Sequence, residues 1–188
     1  VHMIDMAMLG MNVAGPVNVM SSGGNFGYPW GVQDTPDTLR AIYDFEDFFL
    51  SWEHAVGVGI GPYGREHGVA FIGDLGTLVV DRKGWEVMPE KDRTTGLKME
   101  AVPFQPAQGG DRVNHAQDFI DCVRNRKDPI CPIETGANVA RVAHLGNISY
   151  RVGRKIEWDP VAKQIIGDEE AIRLGSANYR SPWKLIQY

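Results

Sequence analysis

The sequence predicts an α+β fold with a largely antiparallel sheet, and three observations lead to this prediction. Short stretches of strand-like residues follow one another between residues 16 and 88, separated by brief turns. Two long segments with helical periodicity come only later, between residues 111 and 152. Because strands and helices are grouped along the chain rather than alternating, an antiparallel sheet is favoured over a parallel one.

The first segment, Val1–Met11, is predicted to be a helix that is apolar nearly all round. Such a helix is normally buried between layers. Gly15-Pro16 then ends the pattern. No initiator Met, helix cap or signal peptide precedes the apolar residues, so we expect that sequence upstream of Val1 has been removed.

The predicted strands are recognised by their alternation and by the turns that separate them. They are Pro16–Met20, Thr38–Phe45, Phe49–Val56, Gly68–Ile72, Thr77–Asp81 and Trp85–Met88. In the second of them, the residues predicted to share one face are Leu39, Ala41, Tyr43 and Phe45. The short segment Gly73–Gly76 predicts a tight hairpin connection.

Two segments are predicted to be loops because of their composition. Ser21–Asn25 is rich in Ser and Gly, and the aromatic residues Tyr28 and Trp30 follow closely. Pro89–Gly110 is polar and carries two prolines, which predicts a long surface excursion.

Two helices are predicted after these strands. The first runs from an N-cap at Asp111 to about Arg126. Its apolar stripe consists of Val113, Ala116, Ile120 and Val123, with Phe119 beside them. The second runs from about Glu134 to Val152, and Gly153 suits the position just beyond its end.

The last part of the chain is predicted to be short elements and a docked tail. Lys155–Trp158 is predicted as the last strand, and Asp168-Glu169-Glu170 as the start of a short helix with acidic residues at its positive end. The tail Ser181–Tyr188 has enough apolar residues to predict that it packs on something.

Composition excludes several classes of function. The 188 residues carry a net charge of −5, which argues against binding to a nucleic-acid backbone. No apolar run approaches the ~20 residues of a membrane span. The two cysteines, Cys122 and Cys131, form no CxxC pair, which argues against a disulfide framework or a structural zinc site. The histidines His67, His115 and His144 stand too far apart in sequence to predict a metal site.

His2 is the candidate catalytic residue. An imidazole at the mouth of a helix can accept the proton of a substrate hydroxyl. The alternative is a buried histidine satisfied by a hydrogen bond. Asp5, three residues further on, is interpreted as structural.

Aromatic residues and a second histidine are the candidate substrate-binding residues. In a strand, Trp52 and His54 point to the same face, where they could offer an apolar surface and a polar partner to a sugar ring. The alternative is a half-buried strand with a core Trp. Tyr28 and Trp30 could extend the same wall, or they could belong to a docked loop.

The glycine-rich run Gly57–Gly61 is not interpreted as a nucleotide-binding loop. The dinucleotide fingerprint requires a strand before the glycines and a helix directly after them. Here Pro62-Tyr63-Gly64 and another strand-like stretch follow, so a turn is predicted and no dinucleotide is expected to bind.

The order of several motifs resembles that of the Gfo/Idh/MocA oxidoreductases, the family of glucose–fructose oxidoreductase and inositol dehydrogenase. The opening segment resembles the G-x-H-x-x-D stretch of that family. The segments that carry the resemblance are Val1–Asp5, Gly73–Leu78, Asp118–Arg124, His144–Arg151, Trp158–Pro160, Gly167–Ala171 and Tyr179–Trp183. The last three look like a bacterial branch of the family.

The resemblance implies an architecture and a chemistry. The family's second domain is an open, mostly antiparallel sheet with helices packed on one face, and its other face commonly pairs with a second subunit. An amino-terminal Rossmann domain binds NAD or NADP. A Lys from that domain and the Asp and His of a D-x-x-x-H motif act on the substrate hydroxyl. That His falls on His2, whereas the Asp, the Lys and the glycine fingerprint have no counterpart in residues 1–188.

We therefore expect residues 1–188 to be a single carboxy-terminal domain that binds substrate and forms oligomer contacts. The complete protein would oxidise a sugar or cyclitol hydroxyl with NAD or NADP. This chain alone would bind no dinucleotide tightly, and we expect it to be inactive. Trp52 and His54 could then lie at substrate or at a subunit interface. The alternative function is a non-catalytic carbohydrate-binding or assembly module.

Overall fold

The computed structural model describes residues 1–109, 112–176 and 179–184. Within these ranges the helices are α1 His2–Met11, α2 Arg112–Asn125, α3 Ile133–Val152 and α4 Glu169–Leu174. The first strands are β1 Asn18–Gly24, β2 Thr38–Asp44, β3 Phe49–Ala55, β4 Val69–Ile72, β5 Gly76–Val80 and β6 Gly84–Pro89. The remaining strands are β7 Lys91–Asp92, β8 Gly96–Leu97, β9 Val102–Pro106, β10 Ile156–Asp159 and β11 Gln164–Ile166.

These elements belong to two compact units. The first unit comprises Val1–Asn12 and Val58–Val139, and the second comprises Val13–Gly57 and Ala140–Tyr188. The first contains α1, α2 and strands β4 to β9, and the second contains β1 to β3, β10, β11, α4 and most of α3.

The second unit is built on a five-stranded sheet in the order β11-β10-β1-β2-β3, in which every neighbouring pair is antiparallel. Side chains alternate between its two faces because successive residues of a strand point in opposite directions. One face carries the buried apolar residues Val19, Leu39, Ala41, Tyr43, Ile156 and Trp158. We call this the covered face, because α3 packs on it.

Small residues of α3 allow its close packing on the covered face. A side chain at Gly146 would collide with the hydroxyl of Tyr43. Ser149, fully buried, accepts a hydrogen bond from the backbone N–H of Ser21 in β1 (3.0 Å), and its own hydroxyl donates to the carbonyl of Arg154 (2.8 Å). These contacts fix the position of the helix over the sheet.

The other side of the five-stranded sheet, which we call the open face, remains exposed. The register places Met20 opposite Ile42, and Phe49 opposite Asp44, on this side. Phe49 is 70% exposed, and Met20, Ile42 and Ile166 are exposed as well. Among the described residues, the buried apolar side chains of this sheet thus lie on the covered face.

The first unit is built on a four-stranded antiparallel sheet in the order β4-β5-β6-β9. Helix α1 contacts β4, where a side chain at Gly10 would collide with the ring of Phe71. A separate two-stranded ribbon is formed by β7 and β8.

The structure confirms the predicted fold class, α+β with mostly antiparallel open sheets, and most of the predicted elements. The alternating segment at β2 buries all four residues predicted to share a face. The β4–β5 hairpin is closed by a hydrogen bond from Gly73 N–H to the Gly76 carbonyl, 3.0 Å long. Gly153 follows α3 with φ 69°, and the side chain of Asp168 caps α4 by accepting a hydrogen bond from the N–H of Ala171.

The prediction of a loop over Ser21–Asn25 was wrong for most of its residues. Residues 21–24 belong to β1 and pair with β2 as far as Gly24 opposite Thr38. Their composition is typical of loops, but two tertiary contacts override it. The N–H of Ser21 bonds to Ser149, and any side chain at Gly23 would collide with the carbonyl of Thr38.

The long excursion predicted over Pro89–Gly110 was also partly wrong, because β9 runs through it and pairs with β6. Its prolines are tolerated because β9 lies at the edge of the sheet, where one side of the strand needs no hydrogen bonds. The strand predicted as the last, β10, is followed by β11, in which Ile165 is buried opposite Trp158.

Helix α1 is less buried than predicted. Ile4, Ala7 and Met8 are buried, whereas Leu9 is 80% exposed and Met11 is also exposed. Its apolar residues cover the whole circumference, but β4 contacts only one side. In α2 the predicted stripe is likewise exposed at Phe119, Ile120 and Val123.

Some predictions fall on residues that the structure does not describe. The predicted N-cap Asp111 lies outside the described residues, and so does the tail from residue 185 onwards. Residues 181–184 of the predicted docked tail are described, and Trp183 among them is exposed.

Candidate functional site

Two of the candidate residues lie in the loop between β1 and β2, residues 25–37, which we call the aromatic loop. Both of its candidate residues are exposed, Tyr28 by 43% and Trp30 by 78%. Their rings contact each other edge to face, with centroids 6.4 Å apart and planes at 85°. This is a favourable arrangement for two aromatic rings. The structure therefore brings these two predicted residues together at an accessible surface.

A buried carboxylate holds the backbone of the aromatic loop. Asp37 is 4% exposed, and its oxygens accept hydrogen bonds from the backbone N–H groups of Phe26 (3.0 Å), Gly27 (3.2 Å) and Tyr28 (2.7 Å). The hydroxyl of Thr38 donates a fourth, 2.8 Å long.

Asp37 is charged in this environment. Burial alone would raise the pKa of its carboxyl group, but the hydrogen bonds from Thr38 and from the three backbone amides outweigh burial and lower the pKa to about 2. The sequence interpretation missed Asp37. The signal that could have found it is the pair Asn25 and Asp37 at the two ends of an aromatic, glycine-containing loop, since short polar side chains commonly bond to nearby backbone.

Trp52 and His54 lie on β3, at the edge of the five-stranded sheet, and both are half-buried. Trp52 pairs with Ala41 and His54 with Leu39, both of which are buried on the covered face. The register thus separates Trp52 and His54 from the open face, which is the face that the family resemblance associates with a second subunit.

His2 lies in the first turn of α1, in the first unit, and its side chain is exposed. Its imidazole is accessible to a hydroxyl group that approaches from solvent.

The segment between β3 and β4, residues 57–68, begins with the glycine-rich run, and we call it the glycine loop. The short 3₁₀ helix Pro62–Gly64 follows the glycines, and β4 comes next. A dinucleotide pyrophosphate is normally bound at the amino terminus of an α-helix that directly follows such glycines. The glycine loop does not fit a dinucleotide.

The glycine loop is attached to the first unit by Arg65. Its guanidinium pairs with Asp81 (2.7 Å) and with Glu86, and lies 5.4 Å from the ring centroid of Phe104. Arg65 is 11% exposed and Asp81 7%. The hydrogen bonds with Asp81 and Glu86 raise the pKa of Arg65, so its guanidinium remains charged beside these carboxylates.

The described residues contain no cluster of three or more His, Cys, Asp or Glu side chains that could hold a metal ion. In the same part of the chain, no helix is both long and apolar enough to cross a bilayer.

Comparison with known proteins finds a similarity to one family over the second half of the chain. Residues 98–185 match the model of the oxidoreductase family C-terminal alpha/beta domain of the Gfo/Idh/MocA type. This part of the chain is therefore similar to the C-terminal domain of the Gfo/Idh/MocA oxidoreductases. No curated protein matches the sequence.

Solved structures of oxidoreductases share the fold at low sequence identity. The yvaA oxidoreductase of Bacillus subtilis has a TM-score of 0.60 and 14% identity, with 84% of this chain and 49% of that one covered. The aldose–aldose oxidoreductase of Caulobacter crescentus, complexed with glycerol, has a TM-score of 0.58 and 18% identity, with 83% of this chain and 45% of that one covered. The WlbA dehydrogenase of Bordetella pertussis, complexed with NADH and UDP-GlcNAcA, has a TM-score of 0.51 and 14% identity, with 84% of this chain and 43% of that one covered. The chain thus spans about half the length of the structures it matches.

Proposed function

We propose that this chain is the substrate-binding and subunit-association domain of an NAD(P)-dependent oxidoreductase that acts on a sugar or cyclitol hydroxyl. The observation that carries the proposal is the family match over residues 98–185. It is supported by the relatives of the same fold, one of which is complexed with NADH and a nucleotide sugar.

We assign proton transfer to His2. Oxidation of a secondary alcohol releases a proton from the hydroxyl group, and a neutral imidazole is suited to accept it near neutral pH. The exposed position of His2 in the first turn of α1 supports this role. The dinucleotide, which does not fit the glycine loop, is assigned to a Rossmann domain outside this chain.

We assign sugar binding to Tyr28, Trp30, Trp52 and His54. The C–H faces of a sugar ring pack on aromatic rings, and its hydroxyls need polar partners such as an imidazole. Support comes from the exposed, edge-to-face pair in the aromatic loop and from the shared face of Trp52 and His54 on β3.

Two measurements test the enzymatic part of the proposal. NADH and NADPH are titrated against the 188-residue chain and against the complete gene product, and tight binding is expected only for the latter. His2→Ala in the complete protein is expected to lower kcat about 100-fold or more, in the range typical of general-base catalysis. His67→Ala is the control, because His67 is exposed in the same unit. Unchanged turnover in His2→Ala would contradict the role of His2.

The open face is the proposed site of subunit association. It contains a shallow cavity of about 520 Å³ lined by Met20, Ile42, Phe49 and Lys155, among others. Ion pairs lie on the same face, Arg40–Glu53 and Lys155–Glu157. An apolar surface bordered by charges is typical of protein interfaces.

The test of association is the molar mass in solution, measured by light scattering. Ile42→Glu is expected to shift the protein to monomer, because it places a charge at the centre of the open face. Val161→Glu is the control, since Val161 is even more exposed but lies in the turn between β10 and β11. If both variants keep the mass of the unmodified protein, the open face is not the interface.

A non-catalytic carbohydrate-binding or assembly module is the second candidate function. It is favoured by the fact that the aromatic loop lies wholly within this chain and is held by the chain's own residues. Sugar binding without any NAD(P)-dependent oxidation by the complete protein would support this alternative.

A further inference from the structure

The backbone of the aromatic loop converges on one buried side chain. The two carboxylate oxygens of Asp37 divide the donors between them: Oδ1 accepts from Phe26, Gly27 and Thr38, and Oδ2 accepts from Tyr28. Three consecutive N–H groups are thereby turned towards one point. Such convergence fixes the backbone torsions of the residues directly before Trp30.

The same residue closes the loop at its other end. The side-chain oxygen of Asn25 accepts a hydrogen bond from the N–H of Asp37 (3.1 Å), so the first and last residues of the loop bind each other. The carbonyl of Asp37 accepts from the N–H of Val56, just after β3 (2.9 Å). A loop of this length with joined ends is an Ω-loop, a type that is frequently functional.

The tip of the loop carries the aromatic rings. A hydrogen bond from Gly31 N–H to the Tyr28 carbonyl, 2.9 Å long, closes a turn that contains Trp30. Trp30 is largely exposed although its backbone is held on both sides. The folding of the loop buries the carboxylate and leaves the two rings at the surface, where they are accessible to a ligand.

We propose that Asp37 is a positioning residue, whose buried carboxylate holds Tyr28 and Trp30 as a preformed wall for a sugar ring. The inference rests on the proposed function in that it takes these two rings as the sugar contacts. Preorganisation matters because ordering two aromatic side chains and their backbone during binding would consume binding free energy.

Asp37→Asn tests this role with a minimal change of shape. An amide has one acceptor oxygen, and its NH₂ group would face backbone donors, so at least one N–H of residues 26–28 loses its partner. Asp34→Asn is the matched control, because Asp34 is an exposed residue of the same type in the same loop. Thr38→Val is the milder variant, which removes only the hydroxyl donor and is suited to the case in which Asp37→Asn fails to fold.

The experiment combines hydrogen exchange with steady-state kinetics of the complete gene product, using NAD⁺ with D-glucose and with myo-inositol as probes. In Asp37→Asn, the amides of residues 26–28 are expected to exchange at least tenfold faster. KM for the sugar is expected to rise about tenfold while kcat changes less than about threefold. Thr38→Val should shift both quantities in the same direction by a smaller factor, and Asp34→Asn should shift neither.

The variants Tyr28→Ala and Trp30→Ala separate failure of the inference from failure of the proposed function. If they raise KM but Asp37→Asn does not, Asp37 is not a positioning residue and the proposed sugar contacts stand. If neither aromatic variant changes KM, Tyr28 and Trp30 do not contact the sugar, and the inference about Asp37 fails as well.

Discussion

Two loops of this protein are each held by one buried charge, and they use it in opposite ways. In the aromatic loop, the charge of Asp37 receives the loop's own backbone amides, and the aromatic rings remain outside. In the glycine loop, the charge belongs to Arg65, a residue of the loop, which pairs with Asp81 and Glu86 in the neighbouring sheet. Asp37 therefore fixes the backbone conformation within the aromatic loop, whereas Arg65 connects the glycine loop to residues outside it.

The difference between the loops has an energetic consequence. The partners of Asp37 are neutral dipoles, so its loss leaves unpaired N–H groups that can turn towards water when the loop opens. The partners of Arg65 are carboxylates, and Asp81 is even more buried than Arg65 itself. Loss of Arg65 leaves like charges side by side without compensation, which is the more costly change.

The largest expected effect is therefore on the glycine loop. Arg65→Met is expected to lower the free energy of unfolding at pH 7 by roughly 3 kcal/mol, because it breaks a buried ion cluster and leaves its acidic partners unpaired. Arg40→Met is the control, since the Arg40–Glu53 pair is exposed and should contribute less than about 1 kcal/mol. Urea unfolding followed by circular dichroism measures both. An equal loss of unfolding free energy in Arg65→Met and Arg40→Met would contradict the special contribution of the Arg65 ion pairs.

An intermediate effect is expected in the pH dependence of the aromatic loop. The pKa of Asp37 is lowered from 3.8 to about 2, so its contribution to stability is complete above pH 4 or so and is lost as the pH falls towards 2. The difference in urea midpoint between the unmodified protein and Asp37→Asn should therefore be constant from pH 7 to 5 and shrink at lower pH. A difference that stays constant down to pH 2 would show that the charge of Asp37 plays no part.

The smallest expected effect comes from backbone strain. Each loop contains a tyrosine, and only the one in the glycine loop has a strained backbone conformation. Tyr63 of the glycine loop has φ 58°, a left-handed conformation that is unfavourable for a residue with a side chain. Tyr63→Gly is expected to raise the free energy of unfolding by about 0.5 kcal/mol. Tyr28 is about as exposed as Tyr63 but does not have a positive φ, so Tyr28→Gly should lower the free energy of unfolding. Thermal unfolding of the two variants checks the opposite signs.

Local patterns were sufficient to predict the regular elements. The alternation at β2, the glycine turn between β4 and β5 and the glycine after α3 each specify a local conformation that the structure contains. These signals depend on residues that are close in sequence, which is why they could be used without knowledge of the fold.

Features that depend on distant residues could not be predicted in this way. The end of β1 has the composition of a loop, and its strand conformation depends on β2 and on Ser149, more than 100 residues away. The burial of an apolar helix face could not be predicted for the same reason, since it depends on distant residues. Periodicity indicated the apolar stripe of α2 and the all-round apolar character of α1, but it cannot say which of these residues a neighbouring element will bury.

The candidate site was predicted in part. The rings of Tyr28 and Trp30 contact each other at an exposed surface and His2 is accessible, while their roles in substrate binding and catalysis stay predictions. Asp37 was missed because its importance lies in the convergence of three amides on one carboxylate, which becomes visible only when the loop is folded. The face of the sheet to which Trp52 and His54 point depends on the strand register, which the sequence of β3 alone does not specify.

The most direct test of the account is to find which indole groups respond when sugar binds. The chain has five tryptophans, at positions 30, 52, 85, 158 and 183, and Trp85 and Trp183 are exposed residues outside the proposed site. The complete gene product, labelled with ¹⁵N at its indole groups, is titrated with D-glucose and with myo-inositol in the presence of NADH. The account predicts saturable shifts of the Trp30 and Trp52 signals and none at Trp85 or Trp183. Binding that leaves Trp30 and Trp52 unshifted would contradict it.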